Sequence, residues 1–513
     1  GEAISTTALK LKETPTDIIF GKASGSITKG KPTLVEADGD FAQVAGTDTN
    51  YSEITTSQFT VNSGTCGDVF GMDSDGAGTM CVVFRGTSNY IQVSKGTLGT
   101  DNNISWATPV TMESVYGNSC SVYYDKTNSF FVANFQSYND WYAYRITGSG
   151  NTTTVANTRS SGGYGLGTGV TQQASIFSDS QSCGVTFLGK QTSKFGTHRS
   201  SQSASSGNGY RGVTSSTVGS TASDVQFLGM DYDQTSDVGI GWWRAEANSD
   251  YPTVRAFTVD GSTTYGTVTM GTAVVLESNG TNAYGGVAIA SSSNALAVWK
   301  DSTTELRQCS FTFSGTTITA GTAGAVDRNG SEEYYVEGTQ LLTYNPHSEK
   351  YYFSYNNSAD NYDVLVKELQ NSSGTVTVTN TIKVHDASSN ENYYWNIKYV
   401  GNTASGRESQ KGYMLLLGKE HGNDCATFGY APAFTESSTN LTDENFIGFA
   451  KNTSSANETS KVKIIGIDAN QSGLTPAQKY YVLNDGTLSL TAQSGKTVNA
   501  GQAISSTKIN IKG

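Results

Sequence analysis

The sequence lacks several features that define common protein classes. It has no Lys/Arg cluster and a formal net charge of −12, so the basic footprint of a nucleic-acid-binding protein is absent. No apolar run reaches the roughly eighteen residues that a membrane helix needs, which predicts no membrane insertion. The first residues, GEAISTTALKLKETPTD, lack the basic and apolar regions of a signal peptide. We therefore expect any passage out of a cell to depend on something other than an N-terminal signal in this chain.

The cysteines follow no framework pattern. There is no CxxC pair, and the six residues are scattered: Cys66, Cys81, Cys120, Cys183, Cys309 and Cys425. This pattern favours free buried thiols over a disulfide scaffold, although Cys66 and Cys81 could meet across neighbouring strands. The redox compartment is left open, with a preference for assembly in a reducing cytoplasm.

Catalytic motifs are also missing. The four histidines (His198, His347, His385 and His421) show no HExxH or other paired spacing, and neither a GxSxG elbow nor a P-loop occurs. The nearest match to a sialidase turn, MDSDGAGTM at 72–80, lacks its tryptophan. The acids at 73–76 and 231–233 could supply oxygens to calcium, but Asp is ordinary at a β-turn. We predict no catalytic residue, no metal site and no cofactor.

What is present predicts an all-β protein. Only 15% of the residues are charged, and polarity comes largely from Ser, Thr, Asn and 57 Gly, beside 28 Tyr. β-branched and aromatic side chains suit pleated sheets, while Gly and Asn supply turns. The composition is therefore that of many short strands joined by tight turns.

One unit recurs along the chain: an apolar strand, a turn with Asp or Asn, and a second apolar strand. Copies include SVYYDKTNSFFVANF and LLTYNPHSEKYYFSY. The turns fall at Asp73, Asp125, Asp179, Asp233, Ser291, Asn345 and near Val400, with successive spacings of 52, 54, 54, 58, 54 and 55 residues. Two further strands follow in the copies before the seventh, and four strands per repeat is the content of one β-propeller blade. We predict a seven-bladed β-propeller; unrelated hairpins in β-sandwiches are the alternative.

The ring needs a closing strand. The seventh copy ends near CATFGYAPAF after three strands, whereas SEITTSQFTV (52–61) precedes the first copy without a partner. We expect 52–61 to complete the blade near 413–433, which would remove both exposed sheet edges.

The two ends of the chain carry a resemblance. SITKGKPTLVEADGDFAQVA, NLTDENFIGFA, SGLTPAQKYYVLNDGTLS and VNAGQAISSTKINIKG together resemble a β-rich module of tailed-phage and marine-virus structural proteins of the tail-fibre or capsid-fibre type. The chain departs from that pattern at Ala477, where Gly is usual, and at Ile504 and Ile509, where Leu is common. The resemblance implies a virion protein with the propeller inserted into a small discontinuous β-rich base. We expect the base at 1–50 and 438–513 and the propeller at 51–437. Residues 25–46 and 445–513 should share one hydrophobic core that contains Phe446, Ile464, Tyr481 and Leu488.

Aromatic residues near the blade turns are the candidate binding residues. Flat rings beside Asn and Asp suit stacking on sugars, and the candidates are Trp141, Tyr142, Trp242, Trp243, Tyr251, Tyr393 and Tyr394. The alternative is that these rings pack between blades, as many propeller aromatics do.

These observations lead to one function and one alternative. We expect a non-enzymatic appendage on the virion surface, assembled in the host cytoplasm, whose propeller adheres to a host glycan or receptor. The base would bind other virion proteins, and the sequence leaves homo-oligomer formation open. The alternative is a secreted or virion-borne carbohydrate-active enzyme, such as a glycosidase or sialidase.

Overall fold

The computed structural model describes most of the chain: residues 17–64, 66–67, 70–137, 140–149, 152–156, 172–189, 194–200, 210–211, 216–217, 225–245, 249–262, 267–278, 285–291, 293–301, 305–327, 334–335, 338–359, 362–372, 374–385, 393–419, 424–442, 444–492 and 497–511. Contacts divide the chain into two compact units, residues 1–51 with 435–513 (the base) and residues 52–434 (the propeller). Among these described residues, helical structure is limited to the 3-10 turns Thr87–Asn89 and Glu408–Gln410. None of it forms a helix long and apolar enough to cross a membrane.

The strands are numbered in chain order. The base begins with β1 (Ile18–Lys22), β2 (Pro32–Val35), β3 (Phe41–Gln43) and β4 (Gly46–Tyr51). Two short strands follow at the start of the propeller, β5 (Ile54–Thr55) and β6 (Phe59–Asn62).

Consecutive segments then build seven antiparallel sheets, the blades. Blade 1 contains β7 (Phe70–Ser74), β8 (Thr79–Arg85), β9 (Tyr90–Leu98), β10 (Ile104–Trp106) and β11 (Val110–Tyr116). Blade 2 contains β12 (Ser119–Asp125), β13 (Phe130–Ser137), β14 (Asp140–Thr147) and β15 (Thr154–Ala156). Blade 3 contains β16 (Gln172–Ser178), β17 (Cys183–Gly189), β18 (Lys194–Ser200), β19 (Tyr210–Arg211) and β20 (Ser216–Thr217).

The remaining blades follow the same plan. Blade 4 contains β21 (Val225–Asp233), β22 (Val238–Ala245), β23 (Tyr251–Asp260), β24 (Thr267–Met270) and β25 (Val274–Val275). Blade 5 contains β26 (Gly285–Ser291), β27 (Asn294–Lys300), β28 (Leu306–Ser314), β29 (Thr317–Ala320) and β30 (Gly324–Asp327). Blade 6 contains β31 (Tyr334–Tyr335), β32 (Leu342–Asn345), β33 (Lys350–Asn357), β34 (Asp363–Ser372) and β35 (Thr375–His385). Blade 7 contains β36 (Tyr393–Tyr399), β37 (Met414–Lys419) and β38 (Cys425–Ala431).

The seven-bladed prediction is confirmed, and the burial pattern explains it. Blades stack face to face, so their inner strands must be apolar on both sides. In β8 the five residues 80–84 (MCVVF) are all buried, whereas β35 in the outer part of blade 6 alternates with exposed Thr and Asn. The inner strands also approach closely, since a Cβ on Gly71 would lie 2.7 Å from Cα of Ser121 in the next blade.

The predicted closing strand is also confirmed. Both β5 and β6 pair antiparallel with β38, the third strand of blade 7, for example through Thr55 with Tyr430 and Phe59 with Thr427. Blade 7 therefore takes its outer strand from the start of the propeller segment, and the ring has no free edge there.

The base resumes after blade 7. Its remaining strands are β39 (Phe434–Thr439), β40 (Phe446–Ala450), β41 (Thr459–Lys463), β42 (Gly466–Asp468), β43 (Lys479–Val482), β44 (Leu488–Ser489), β45 (Asn499–Ser505) and β46 (Lys508–Ile511). One sheet has the order β1-β41-β40-β2-β3, so two C-terminal strands lie between N-terminal strands in it. A two-stranded sheet pairs β39 with β4, and another five-stranded sheet has the order β42-β46-β45-β43-β44. The base is therefore a discontinuous β-rich domain into which the propeller is inserted.

A shared core joins the two ends of the chain. Leu34 and Val44 pack in one apolar cluster with Val482 and Ile509, and Phe446 and Leu488 pack against it half-buried. Ile464 packs against a second, smaller cluster. The expectation that Tyr481 is a core residue is wrong. Its neighbour Tyr480 is buried, and strand alternation turns Tyr481 outward, where it is half-buried under the Lys479 ammonium at 4.9 Å.

Candidate functional site

Hydrogen bonds connect the inner strands of neighbouring blades. In each, a side-chain oxygen of one blade accepts a backbone N–H of the next. The Asp73 carboxylate accepts the N–H of Tyr124 at 2.7 Å, and the Asp231 carboxylate accepts the N–H of Ile289 at 2.8 Å. Between blades 6 and 7, the Thr343 hydroxyl accepts the N–H of Tyr399 at 3.0 Å. A buried N–H without an acceptor is costly, so these side chains satisfy inner-strand groups that have no ladder partner.

A charged pair and an amide add longer connections around the central channel. The Lys398 ammonium of blade 7 lies 2.7 Å from the Asp73 carboxylate of blade 1. The Gln340 amide of blade 6 both donates to and accepts from the backbone of Met72 in blade 1, at 3.4 Å in each direction. The first and last parts of the ring are thus connected by side chains as well as by the closing strands.

Asp231 differs electrostatically from Asp73. Burial raises the pKa of the Asp231 carboxyl to about 6, although the N–H groups of Ile289 and Tyr232 and the charge of Lys398 favour its ionised form. Lys398 makes its ion pair with Asp73 and not with Asp231. The neutral form of the Asp231 carboxyl is therefore favoured more than that of an ordinary aspartate.

The channel beside these residues is small. Its cavity of about 50 Å³ is lined by Ser175, Asp231, Gln340, Thr343 and Lys398, among others. Since one water occupies about 10–15 Å³ on this measure, the cavity holds a few waters, whereas small-molecule sites usually enclose several hundred Å³. A sugar ring does not fit in it.

Three of the predicted stacking residues are core residues, and the prediction that they contact a ligand is wrong for them. Trp242 and Trp243 are 0% and 3% exposed, and Tyr142 is 4% exposed. The Tyr142 ring stacks on Phe135 with centroids 4.7 Å apart, and Trp243 meets Phe187 edge-on. These rings pack between blades, which was the alternative interpretation of the aromatic pattern.

Three further candidates have only their backbones described. Trp141 lies on β14, and Tyr393 and Tyr394 lie on β36; their side chains fall outside the described part of the structure.

Tyr251 is the predicted residue whose described side chain reaches the surface. It is half-buried at the start of β23, directly after the turn that joins it to β22. Before it, Ser249 and Asp250 both have positive φ, 56° and 64°, and the Asp250 N–H donates to the carbonyl of Ala245 at 3.0 Å. The turn chemistry of Ser and Asp tolerates this left-handed geometry.

Arg244 completes this location, which we call the hairpin site (Arg244, Asp250 and Tyr251). The Arg244 Nε donates to the Asp250 carboxylate at 2.9 Å, with side chains 14% and 35% exposed. A fixed guanidinium, a carboxylate and a phenol ring thus occur within eight residues of one turn. Sequence reasoning identified the tyrosine but not its charged neighbours, because only the turn brings positions 244 and 250 together.

The acidic segments considered for calcium act in turns and between blades. The Asp75 carboxylate accepts the N–H groups of Ala77 and Thr79, and the Asp233 carboxylate accepts that of Ser236. Among the described residues, no group of three or more His, Cys, Asp or Glu side chains is arranged to hold a metal ion.

Comparisons with known proteins are distant. The sequence matches no family model and no curated protein. A Dyadobacter fermentans protein of unknown function is similar in structure with a TM-score of 0.43 and 10% identity, over 74% of this chain and 99% of that one. An Aleuria aurantia lectin in complex with alpha-methyl-L-fucoside has a TM-score of 0.39 and 11% identity, over 63% and 99%. The Swd1 β-propeller domain of Myceliophteria thermophila has a TM-score of 0.42 and 8% identity, over 72% and 99%.

Proposed function

We propose that the chain is a non-enzymatic, glycan-binding propeller displayed on a virion through its base. The observation that carries the binding part is the hairpin site, where the half-buried Tyr251 directly follows Asp250, whose carboxylate pairs with Arg244 at 2.9 Å across the same turn. A tyrosine ring offers an apolar face for the C–H groups of a sugar, while a guanidinium and a carboxylate offer donors and acceptors to its hydroxyls. The net charge of −12 favours neutral over anionic glycans.

Weak single sites suffice for this role. Blade loops can vary without disturbing the apolar packing between blades, so recognition is expected at their turns. A particle carries many copies of a surface protein, and simultaneous binding multiplies weak affinities. The small channel cavity therefore does not argue against glycan adhesion.

The virion part of the proposal is supported by the base. The ends resemble virion structural modules, and the base presents apolar side chains to solvent: Phe20, Ile465, Ile467, Leu490 and Ile504 are 42–58% exposed. Where such side chains adjoin one another, an exposed apolar surface suits binding to another protein. We expect this surface to attach the chain to neighbouring virion proteins.

The competing function is a carbohydrate-active enzyme, and Asp231 is the observation that favours it. A carboxyl with a pKa of about 6 has the character of a general acid. Against it, a glycosidase needs two carboxyls placed on either side of a sugar. Asp73 is ion-paired with Lys398, and the cavity beside Asp231 is too small for that substrate.

The experiment is a glycan array read for both retention and product release. We expect retention without release, and about tenfold or greater loss of retention in Tyr251→Ala. Tyr116→Ala is the matched control, because Tyr116 is a 39% exposed tyrosine on blade 1 that also lies beside an arginine, Arg85. If Tyr251→Ala and Tyr116→Ala bind the glycan equally well, the hairpin site is not the binding site. Released product that is lost in Asp231→Asn would establish the enzyme instead.

The virion part is tested separately. Protein mass spectrometry of purified particles should detect the chain as a stoichiometric component, and labelled antibody should bind intact particles. Absence from particles would reject the virion role while leaving the glycan measurement intact.

A further inference from the structure

One connection in the propeller is much longer than its counterparts. A turn joins the two innermost strands of each blade; in blade 2 it is residues 126–129 and in blade 6 residues 346–349, whereas blade 7 uses residues 400–413 between β36 and β37. We call residues 400–413 the clasp. Connections in compact domains usually have about 4–6 residues, and much longer ones usually have a role of their own. The contacts of the clasp indicate what that role is.

The first anchor of the clasp is the corresponding turn of blade 1, between β7 and β8. Asn402 forms an antiparallel bridge with Ala77. Thr403 donates to the Gly76 carbonyl through both its backbone N–H and its hydroxyl, each at 2.9 Å. A Cβ on Gly78, which has a φ of 95°, would lie 2.8 Å from Nδ2 of Asn402. The clasp therefore lies directly against the backbone of blade 1.

The second anchor is a buried amide. Gln410 is 1% exposed, and its Nε2 donates to the Gly99 carbonyl at 2.7 Å and to Asn102 Oδ1 at 2.9 Å, in the turn between β9 and β10 of blade 1. Its Oε1 accepts from Asn402 Nδ2 at 2.9 Å, and the Tyr413 hydroxyl donates to the Asn102 carbonyl at 3.2 Å. Removing this amide would leave buried polar groups unpaired, which is costly. Gln410 therefore connects both anchors of the clasp.

We propose that the clasp closes the propeller ring a second time, so that the ring stays closed when the closing strands come loose. The closing strands β5 and β6 pair with β38, the third strand of blade 7. The clasp instead extends from the two innermost strands of blade 7 and binds turns of blade 1. The two closures use different residues and lie at different distances from the central channel. Each can therefore open by local unfolding without the other.

The seam between blades 7 and 1 depends on both closures. One buried apolar cluster there contains Leu415 and Leu417 of blade 7 together with Met72 and Phe84 of blade 1, and it would meet water if the ring opened. While one closure holds, the two blades stay close, so the other closure re-forms as an intramolecular contact at high effective concentration. Loss of both closures should therefore cost more than the two separate losses added together.

The test is amide hydrogen exchange of the full-length protein, read by mass spectrometry of its peptides. Thr56→Pro weakens the closing strands, because the Thr56 N–H donates to the Gly429 carbonyl at 3.0 Å and its hydroxyl accepts from the Gly429 N–H at 2.8 Å. Gln410→Ala weakens the clasp. Ser409→Ala is the matched control, since Ser409 is exposed on the same 3-10 turn as Gln410.

We expect Thr56→Pro to raise exchange about tenfold in residues 54–62 and to leave β7 and β36, the innermost strands at the seam, protected. Gln410→Ala should raise exchange by a similar factor in the clasp, and β7 and β36 should again stay protected. The double variant should raise exchange in β7 and β36 by more than the product of the changes in the single variants. Ser409→Ala should change none of these peptides.

Three results would overturn the proposal. The first is that Thr56→Pro alone exposes β7 and β36 to exchange as strongly as the double variant does, because the clasp would then not hold the ring closed. The second is unchanged exchange of the clasp in Gln410→Ala. The third is a change in the double variant that only equals the product of the single ones. Should the double variant fail to fold, the protection of β7 and β36 in Thr56→Pro still decides.

Discussion

The propeller and the base are both built from antiparallel strands, but they join distant parts of the chain differently. Among the strands that the structure describes, those of blades 1–6 are contiguous in sequence, whereas blade 7 includes β5 and β6 from far earlier in the chain. In the base, one sheet combines strands from the two ends of the chain, and both ends contribute to one core, whereas a second five-stranded sheet comes from the C-terminal end alone. We therefore expect the propeller to stay folded after loss of a distant segment of the chain, whereas the mixed sheet of the base should unfold.

The largest expected effect is on the base alone. A chain that stops after residue 440 loses β40 to β46, which provide most of the shared core. We expect residues 17–51 to become sensitive to protease, while 52–434 stays protected because its ring is complete. Mass spectrometry of limited-digest fragments measures both, with full-length protein as the control. Continued protection of 17–51 would show that the N-terminal segment does not need the shared core.

The second prediction acts on the propeller. Trp242→Ala removes a completely buried ring from the cluster between blades 4 and 5, which costs about 3–5 kcal/mol. Calorimetry should show the propeller transition at a lower temperature and the base transition unchanged. If both transitions move together, the two units unfold as one, and the contrast between them does not extend to stability. Tyr116→Ala, at an exposed tyrosine, should change neither transition appreciably.

The third prediction concerns pH and one inner strand. Folding raises the pKa of Asp231 to about 6, so the folded propeller holds this proton at a pH where the unfolded chain has released it. The resulting stabilisation is present below about pH 4 and is lost as the pH rises to about 6, by about 2–3 kcal/mol. Asp231→Asn should abolish this component of the pH dependence. The measurement is the free energy of unfolding between pH 4 and 7. If it changes with pH equally in the variant and the wild type, the assignment to Asp231 is wrong.

The smallest effect is a stabilisation of the base. Ala477 occupies the left-handed region with φ of 67°, where an alanine Cβ is strained, and its N–H is bound to the Ala503 carbonyl at 2.8 Å. Ala477→Gly relieves that strain and should stabilise the base by about 1 kcal/mol. Chemical denaturation of the base is the measurement. If Ala477→Gly makes the base less stable, the greater backbone entropy of glycine in the unfolded chain outweighs the strain that the substitution removes.

The sequence predicts the features that repeat. Regular spacing of turns such as Asp125 and Asp179 predicts seven blades, and a surplus strand at 52–61 predicts ring closure. The resemblance marks Ala477 as a position where glycine is usual, and the structure supplies the reason, since this residue has a left-handed φ of 67°.

Features that depend on three-dimensional proximity could not be predicted. Asp73 pairs with Lys398 because the ring brings its two ends together. Tyr142, Trp242 and Trp243 look like surface aromatics because apolar residues near a turn suit both a ligand and a blade interface. Trp242 and Trp243 point to opposite faces of β22, and both are buried because a neighbouring blade covers each face.

Ring closure by β5 and β6 also has a consequence for biosynthesis. Translation produces Ile54–Thr55 and Phe59–Asn62 long before Cys425–Ala431, and at 5–20 residues per second the delay is roughly 20–70 s. Throughout that interval the nascent chain carries an unpaired strand that could pair with another ribosome's product. The strand SEITTSQFTV is rich in Ser and Thr. It can therefore stay exposed until its partner is synthesised, because a polar strand aggregates less readily than an apolar one.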